Sequence, residues 1–271
     1  MNRTITVVKL GGTEGVDFSA ICQDAARLLK QGQQLVFVHG GSAEANLLGE
    51  SLGAPPKMIT SPSGYTSRYT DRKTLEIFLM AVNGKINSLL IEQLQMLGVN
   101  AVGLSGLDGR LMQATRKDSV QSLENGKRRI IRDDYTGRID TVNSDLLGML
   151  LNAGYLPVIA PVAVSERGEA LNVDADRAAA MVAAALQAET LLLLTAAPGL
   201  MRNFPDESSL IRQLHQSQLA AASQAAQGRM KKKILGAEEA LKGGVCRVMI
   251  ADGRIENPIS NALAGNGTVI Q

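Results

Sequence analysis

The sequence predicts an α/β fold, a three-layer αβα sandwich built on a central, mainly parallel sheet. Two observations predict it. Strand-like and helical runs follow each other in turn along the 271 residues. The strand-like runs are continuously apolar, whereas a strand with one solvent-exposed face would alternate apolar and polar residues. Alternation of this kind produces a parallel sheet with helices on both faces, and such strands are buried on both sides.

In the first fifty residues, a predicted strand is twice followed by a pair of glycines and then by a predicted helix. Residues 4–10 form the first predicted strand, which ends at Gly11-Gly12, and residues 18–29 have helical spacing. A second strand over 35–38 ends at His39-Gly40-Gly41, and we expect Ser42 to be the N-cap of the next helix.

The later elements repeat this alternation. We predict a long helix over 70–97, a strand over 99–104, a polar hairpin excursion over 110–132, a helix over 144–153, a strand over 156–160, a helix over 174–187, a strand over 190–194, a helix over 230–241 and a strand over 245–251. We expect two lobes, residues 1–170 and 171–271, that share one continuous sheet.

Composition excludes several classes of protein. Hydrophobic residues make up 45% of the chain and charged residues 20%, as in a globular protein with a sizeable core. Lys plus Arg number 28 and Asp plus Glu 26, so the net charge is only +2, and eight aromatic residues leave little for base stacking. We therefore expect no nucleic-acid partner.

Cysteine and histidine content argues against a metal centre or a disulfide framework. Cys22 and Cys246 are far apart, and the chain has only two histidines. The longest apolar run, 178–188, is about half a membrane span. We expect no signal peptide before the first strand. We expect a cytoplasmic protein with no metal site of its own and no membrane contact.

The two glycine-lined strand ends are the first candidate site. Ligands of open α/β sheets bind at the carboxyl ends of the strands, where glycines let backbone N–H groups approach an anion. Lys9 adds a point charge there. The alternative is an ordinary turn with a solvated lysine. For His39 we favour a structural hydrogen bond over a role in binding.

Three further segments carry candidate residues. Arg68 can hold a carboxylate with its planar guanidinium, although a surface ion pair is an equal alternative. Asn172 and Asp176 flank Asp174, the expected cap of an alanine-rich helix. The segment from Gly228 to Lys233 includes three consecutive lysines, which cannot all face one way because successive helical residues turn by about 100°. Spacing alone does not select which of them enters a site.

Together these motifs resemble the amino acid kinase superfamily, whose fold is carbamate-kinase-like. Lys9-Leu10-Gly11-Gly12, His39-Gly40-Gly41, Arg68 with Thr70-Asp71, Asn172 with Asp176, and Gly228-x-Met230-x-x-Lys233 occur in that family's order and spacing over residues 3–271. The chain looks like an acetylglutamate kinase. It is most similar to the branch that phosphorylates aminoadipate or glutamate carried on the small acidic protein LysW.

The resemblance implies transfer of a phosphoryl group from ATP to a side-chain carboxylate, with Mg²⁺ arriving on the nucleotide. It assigns the catalytic roles to Lys9, Lys233 and Asp176. Substrate-binding residues by the same resemblance are Gly40, Gly41, Ser42, Gly64, Tyr65, Arg68 and Asn172. Nucleotide-binding residues are Gly11, Gly12, Thr195, Gly199, Leu200 and Met230. A homodimer built on the long helix is the family expectation.

The acceptor is left open between the carrier conjugates and free N-acetylglutamate. Ser42 stands where ordinary acetylglutamate kinases usually have a third glycine, which argues against the free acceptor. The segment 110–132 has a local net charge of +5, from seven basic and two acidic residues. A solvated hairpin is the plain alternative, but an acidic carrier would be steered by Lys127, Arg128 and Arg129. A second hypothesis is a regulatory module that has lost catalysis.

Overall fold

An eight-stranded sheet forms the centre of the protein in a computed structural model that describes residues 4–11, 18–62, 66–124, 127–225 and 228–271. From edge to edge its strands are β14 (Gln213–Leu214), β16 (Thr268–Ile270), β15 (Arg247–Asp252), β13 (Thr190–Thr195), β1 (Ile5–Leu10), β2 (Gln34–His39), β10 (Leu156–Ala160) and β5 (Ala101–Ser105). Neighbours are parallel except for the antiparallel pair β15 and β16. Strands from both halves of the chain therefore share one sheet.

Smaller sheets flank it. One has four strands in the order β12 (Ala170–Asn172), β11 (Val162–Val164), β6 (Met112–Arg116) and β9 (Gly137–Val142), and two hairpins pair β3 (Met58–Thr60) with β4 (Thr66–Arg68) and β7 (Val120–Glu124) with β8 (Lys127–Ile131). The helices are α1 (Phe18–Lys30), α2 (Ser42–Ser51), α3 (Arg72–Leu79), α4 (Ser88–Met96), α5 (Ser144–Asn152), α6 (Ala175–Ala185), α7 (Leu219–Ala225), α8 (Gly228–Lys242) and α9 (Pro258–Leu263).

Two hydrophobic cores cover the two faces of the central sheet. Val7 of β1 belongs to the core shared with α5, α6 and α8, whereas its neighbour Val8 belongs to the core shared with α1, α4 and α9. Successive strand residues point to opposite faces, so both faces of these apolar strands are buried. The predicted three-layer αβα sandwich is confirmed.

The long helix over 72–96 has a π-helical middle. Residues Met80–Asn87 join α3 to α4 with π geometry, for which the sequence carried no signal. By length and composition alone, this 25-residue stretch could cross a membrane. Part of this stretch is buried inside the protein, however, because Leu75, Phe78 and Leu90 belong to its hydrophobic cores.

The structure corrects two predictions. The N-cap of α2 is Gly41, so Ser42 is the first helical residue, and no side chain caps this end. The hairpin is shorter than predicted, because residues 112–116 pair with β9 and β11 in the four-stranded sheet and the hairpin pairing joins β7 to β8. Residues 125 and 126, between β7 and β8, lie outside the described ranges. The expected cap Asp174 is confirmed, and Asp71 caps α3; both side chains accept backbone N–H bonds.

Sheet register places the site residues. Leu10 of β1 lies opposite His39 of β2, and Lys9 lies opposite Leu193 of β13. The three strands run parallel, so Gly11, Gly40 and Thr195 all lie at the carboxyl-end edge of the sheet, where these strands end. The N-termini of α2 and α6 lie at this edge as well, because both helices contribute residues to the cavities described below.

Candidate active site

Two lysines converge on one buried carboxylate at the carboxyl edge of the sheet. The Asp176 Oδ1 atom lies 3.0 Å from Lys9 Nζ and 2.9 Å from Lys233 Nζ. Lys9 comes from the end of β1, Asp176 from the first turn of α6 and Lys233 from α8, and each residue is 6–7% exposed. We call these three residues the Lys–Asp–Lys cluster.

The cluster holds a surplus positive charge away from water. Burial opposes ionisation of Asp176, but the two ammonium groups outweigh it and keep the pKa of this carboxyl well below its usual range. Burial lowers the pKa of Lys233 to about 8, although Asp176 pulls it upward. With both lysines protonated, the cluster carries one net positive charge, which is suited to an anionic group.

Two cavities meet beside this cluster. The smaller, of about 160 Å³, is lined by the Lys–Asp–Lys cluster, Gly11 and Thr195. The larger, of about 480 Å³, is lined by residues that include Arg68 and Asn172. Their shared wall consists of Gly40, Gly41, Ser42, Asp174, Ala175 and Lys232. A ligand in the larger cavity thus reaches the charged cluster across the Gly40–Ser42 turn.

A chain of hydrogen bonds fixes the polar wall of the larger cavity. Arg68 donates from Nη2 to the Ser42 carbonyl at 2.9 Å, and Thr70 donates from Oγ1 to the Arg68 carbonyl at 3.2 Å. Asn172 in turn donates from Nδ2 to Thr70 Oγ1 at 3.1 Å. Arg68 is 9% exposed, and burial lowers its pKa. The guanidinium is therefore built into the cavity wall and is no surface ion pair.

Of the three consecutive lysines, Lys233 is the one that the structure places in the Lys–Asp–Lys cluster. Lys233 contacts Asp176, whereas Lys232 lies 3.4 Å from Asp174 Oδ2, the helix-capping carboxylate. Lys231 lines the larger cavity. Residues one position apart on α8 are turned by about 100°, so the three side chains point in different directions, and Lys233 reaches Asp176.

His39 makes the structural hydrogen bonds that we favoured for it. Its ring is fully buried, with Nδ1 2.8 Å from the Gly40 carbonyl and Nε2 3.1 Å from the Asn87 amide. Burial lowers the pKa of His39 to about 4, with a smaller contribution from the charge of Lys9. The ring is therefore neutral near pH 7.

Several predicted nucleotide residues lie apart from the two cavities. Neither cavity is lined by Gly199, Leu200 or Met230 in the described part of the chain. Leu200 is buried in the core, its N–H donates to Thr268 Oγ1 at 2.8 Å, and Met230 packs against the same core. Gly12, Gly64 and Tyr65 lie outside the described residues.

The basic hairpin borders the larger cavity through β3. Met58 lines the larger cavity and also a groove of about 530 Å³ that continues to Arg129 and Arg132. Arg128 and Arg129 are exposed on β8, and Lys127 begins that strand. Of the predicted carrier residues, Arg129 thus lines a groove that shares Met58 with the larger cavity.

Sequence reasoning missed part of the cavity wall. Asn46, Met58 and Phe78 line the larger cavity, and Asp134 accepts from the N–H groups of Thr70 and Thr136 at 3.3 and 2.8 Å. The helical spacing of Ser42 and Asn46, four residues apart, was a signal for Asn46. The sequence held no such signal for Asp134, because its contact with residue 70 arises only from the tertiary fold.

The donor set suits a phosphate better than a metal ion. Among the described residues, no three His, Cys, Asp or Glu side chains come together in a group that could hold a metal. Ammonium groups, a helix N-terminus and glycine N–H groups instead favour phosphate oxygens. The geometry defines an anion-binding site of the kind that phosphoryl-transfer enzymes use.

Comparison with known proteins assigns the family. The model of the amino acid kinase family matches residues 4–252, so the chain belongs to this family of phosphotransferases, as the motifs predict. Two relatives are named LysW-aminoadipate kinase. The protein from Deinococcus radiodurans is 58% identical, over 97% of this chain and 90% of the relative. The protein from Thermus thermophilus is 52% identical, over 98% of this chain and 99% of the relative.

A solved structure shares the fold. N-acetylglutamate synthase from Neisseria gonorrhoeae, solved with coenzyme A and N-acetyl-glutamate, superposes with a TM-score of 0.80 at 27% identity. The match covers 98% of this chain but only 59% of that one. The shared part is the α/β sandwich described above.

Proposed function

We propose that this enzyme transfers the γ-phosphoryl group of ATP to the side-chain carboxylate of aminoadipate carried on a LysW-like protein. The observation that carries the proposal is the Lys–Asp–Lys cluster at the junction of two cavities. The names of the two relatives more than half identical over nearly the full chain support this acceptor. Glutamate on the same carrier is the close variant.

The reaction needs positioning and charge neutralisation more than a protein nucleophile. A carboxylate oxygen of the acceptor forms the new bond to the γ-phosphorus while the bond to the β,γ-bridging oxygen breaks, and ADP leaves with that electron pair. We assign Lys9 and Lys233 to the phosphate oxygens on which charge accumulates. Asp176 holds both lysines in place by accepting their hydrogen bonds.

We assign the larger cavity to the acceptor and place the nucleotide phosphates in the smaller one. Arg68 and Asn172 would hold the polar groups of the acceptor beside the Gly40–Ser42 turn. Gly11 and Thr195 line the phosphate side. Gly12 would add to that side, and Gly199, Leu200 and Met230 would contact the rest of the nucleotide. Gly64 and Tyr65 would complete the acceptor side.

Mg²⁺ would arrive with the nucleotide. Phosphate oxygens and water would hold most of its coordination positions, and it would supply further neutralisation of the transferring group. We expect the purified protein to contain no stoichiometric metal, and tightly bound zinc or iron in an elemental analysis would contradict this.

The carrier would dock on the basic hairpin. Triple charge reversal at Lys127, Arg128 and Arg129 to Glu should raise KM for the carrier conjugate and weaken its dependence on ionic strength. Turnover of a small free acceptor should hardly change. A matched control reverses three basic residues elsewhere in the chain, Lys30, Arg202 and Arg212, which are exposed; it gives the same change of net charge. Equal effects of the two triple variants would refute a specific docking surface.

The alternative acceptor is free N-acetylglutamate. Separate assays with ATP and each acceptor distinguish the two, with the acyl phosphate trapped by hydroxylamine and ADP release measured in parallel. The proposal requires a much larger kcat/KM for the carrier conjugate. Efficient turnover of N-acetylglutamate alone would instead make this an acetylglutamate kinase.

We also propose a cytoplasmic homodimer built on the long helix. Three large apolar residues of 72–96, Met80, Leu89 and Met96, are exposed. Exposed apolar side chains on one helix can pack against a second copy of the same helix. Sedimentation analysis of Met80→Glu should show a monomer if the dimer interface includes Met80.

A further inference from the structure

Each backbone carbonyl of the Gly40–Ser42 turn accepts a hydrogen bond from a different residue. The Gly40 carbonyl accepts from His39 Nδ1 at 2.8 Å, the Gly41 carbonyl from the Ala45 N–H at 3.0 Å, and the Ser42 carbonyl from Arg68 at 2.9 Å. By contrast, no backbone carbonyl in the described part of the chain accepts from the Gly41 N–H. The turn is therefore fixed through its oxygens, and this N–H is left without a backbone acceptor.

The hydrogen-bond partners determine the tautomer of His39. A carbonyl oxygen only accepts, so Nδ1 carries the hydrogen. The Asn87 amide donates from Nδ2 to the Val158 carbonyl at 2.9 Å and to His39 Nε2 at 3.1 Å, so Nε2 is the acceptor. The low pKa of the buried ring agrees with a neutral imidazole that carries one hydrogen.

Peptide geometry connects this tautomer to the cavities. In a planar trans peptide, the C=O of one residue and the N–H of the next point in opposite directions. Gly40 C=O and Gly41 N–H belong to one peptide. Because His39 is fully buried and holds the oxygen toward the interior, the Gly41 N–H points away from the interior. Gly41 lines both cavities at their junction.

The π-helical segment supports the same turn from behind. A methyl group on Gly41 would come within 2.5 Å of Val82 Cγ1 and 2.9 Å of Ile86 Cδ1, both in residues 80–87. Asn87 ends this segment, and its side-chain oxygen fills the space left by Gly103. The glycine turn, His39 and the π-helical segment thus form one packed unit.

We propose that His39 is a positioning residue, which aims the Gly41 N–H at an oxygen of the group transferred between the two cavities. The proposal rests on the phosphoryl transfer proposed above. A prearranged N–H donor stabilises charge as it develops and needs no reorganisation during the reaction. Without the bond from Nδ1, the Gly40–Gly41 peptide can rotate, because glycine places little restriction on the flanking dihedral angles.

A pair of isosteric variants tests this role. Asn and Leu have the same branched shape, but only Asn can donate a hydrogen bond from the position of Nδ1. Both variants lose the ring and its contact with Asn87 equally. We expect His39→Leu to have a kcat at least about 10-fold below that of His39→Asn, since loss of one such donor costs on the order of 100–1000-fold. KM for ATP should stay within about twofold in both.

Two controls separate positioning from folding. Phe37→Leu alters a fully buried residue on the same strand and the same face, two positions before His39. It should lower the melting temperature without the loss of kcat. Equal kcat values for His39→Asn and His39→Leu, or losses that merely follow the melting temperatures of all three variants, would overturn the proposal.

The tautomer is measurable without any enzymatic assay. The chain has two histidines, so ¹⁵N-histidine NMR spectra of the wild type and a His215→Gln variant identify the His39 ring. We expect a hydrogen on Nδ1 and none on Nε2 at pH 7. The opposite tautomer would refute the positioning role whatever the acceptor is. Absence of kinase activity in the wild type, with the expected tautomer present, would instead refute the proposed function.

Discussion

Replacing Asp176 by Asn should disable the Lys–Asp–Lys cluster while it keeps the shape of the side chain. Both lysine Nζ atoms lie within 3.0 Å of Asp176 Oδ1, so they are at most about 6 Å apart. At an effective dielectric constant of about 20, each lost attraction is about 5 kcal/mol and the remaining lysine–lysine repulsion is at least about 3 kcal/mol. These energies correspond to several pKa units.

One lysine should therefore lose its proton near neutral pH in Asp176→Asn. The Lys233 pKa is already about 8 in the wild type, so this lysine is the one that we expect to become neutral. Loss of one charged donor typically lowers kcat on the order of 100–1000-fold. Removal of one partner of a buried pair also costs about 3–5 kcal/mol of stability.

The lost stability should return in part as the pH rises. In the variant, the folded state binds fewer protons than the unfolded state between the depressed lysine pKa and the ordinary value near 10.5, so the free energy of unfolding increases with pH in that window. Urea titrations at pH 7 and 9 measure this slope. The wild type should show a smaller increase over the same interval, because Asp176 keeps its lysines protonated to higher pH.

Asp24→Asn is the matched control. Asp24 is fully buried on α1, accepts from the Ser260 N–H at 2.8 Å and pairs with Arg27 at 3.0 Å. Its replacement should reduce stability but leave kcat near the wild-type value when folded protein is assayed. A kcat for Asp176→Asn within 10-fold of that of Asp24→Asn would refute the electrostatic role of Asp176.

Three further predictions concern single groups. Lys9→Met and Lys233→Met should each lower kcat about 100–1000-fold. Both variants should keep a normal thermal melt, because the remaining lysine still balances the charge of Asp176. Near-normal turnover of either variant would remove the replaced lysine from the mechanism. In the wild type, kcat/KM for ATP should fall above about pH 8 as Lys233 loses its proton, and a profile flat to pH 9.5 would contradict this. The His39 pKa lies near 4, below its ordinary 6.5, so the unfolded state binds more protons in that window and stability falls on acidification, by about 3 kcal/mol at pH 4. His39→Asn should lack this component in urea titrations at pH 7 and 4.

The sequence predicted the site best where the backbone pattern determines the geometry. Strands that end in glycine at the same sheet edge were enough to bring Gly11 and Gly40 together, because parallel register allows little else. The choice of Lys233 over its two neighbours could not be made, since it depends on the depth at which α8 packs against α6. The link from His39 to Asn87 was likewise unpredictable, because it crosses 48 residues and ends in a π-helical turn.

The most direct test of the proposed function is a competition for phosphoryl groups in one reaction. Purified enzyme receives ATP and equal concentrations of LysW-aminoadipate, LysW-glutamate and N-acetylglutamate, and hydroxylamine traps each acyl phosphate for mass spectrometry. We predict that the aminoadipate conjugate gives most of the trapped product and that N-acetylglutamate gives a trace. Product on N-acetylglutamate with both carrier conjugates unmodified would contradict the proposed function.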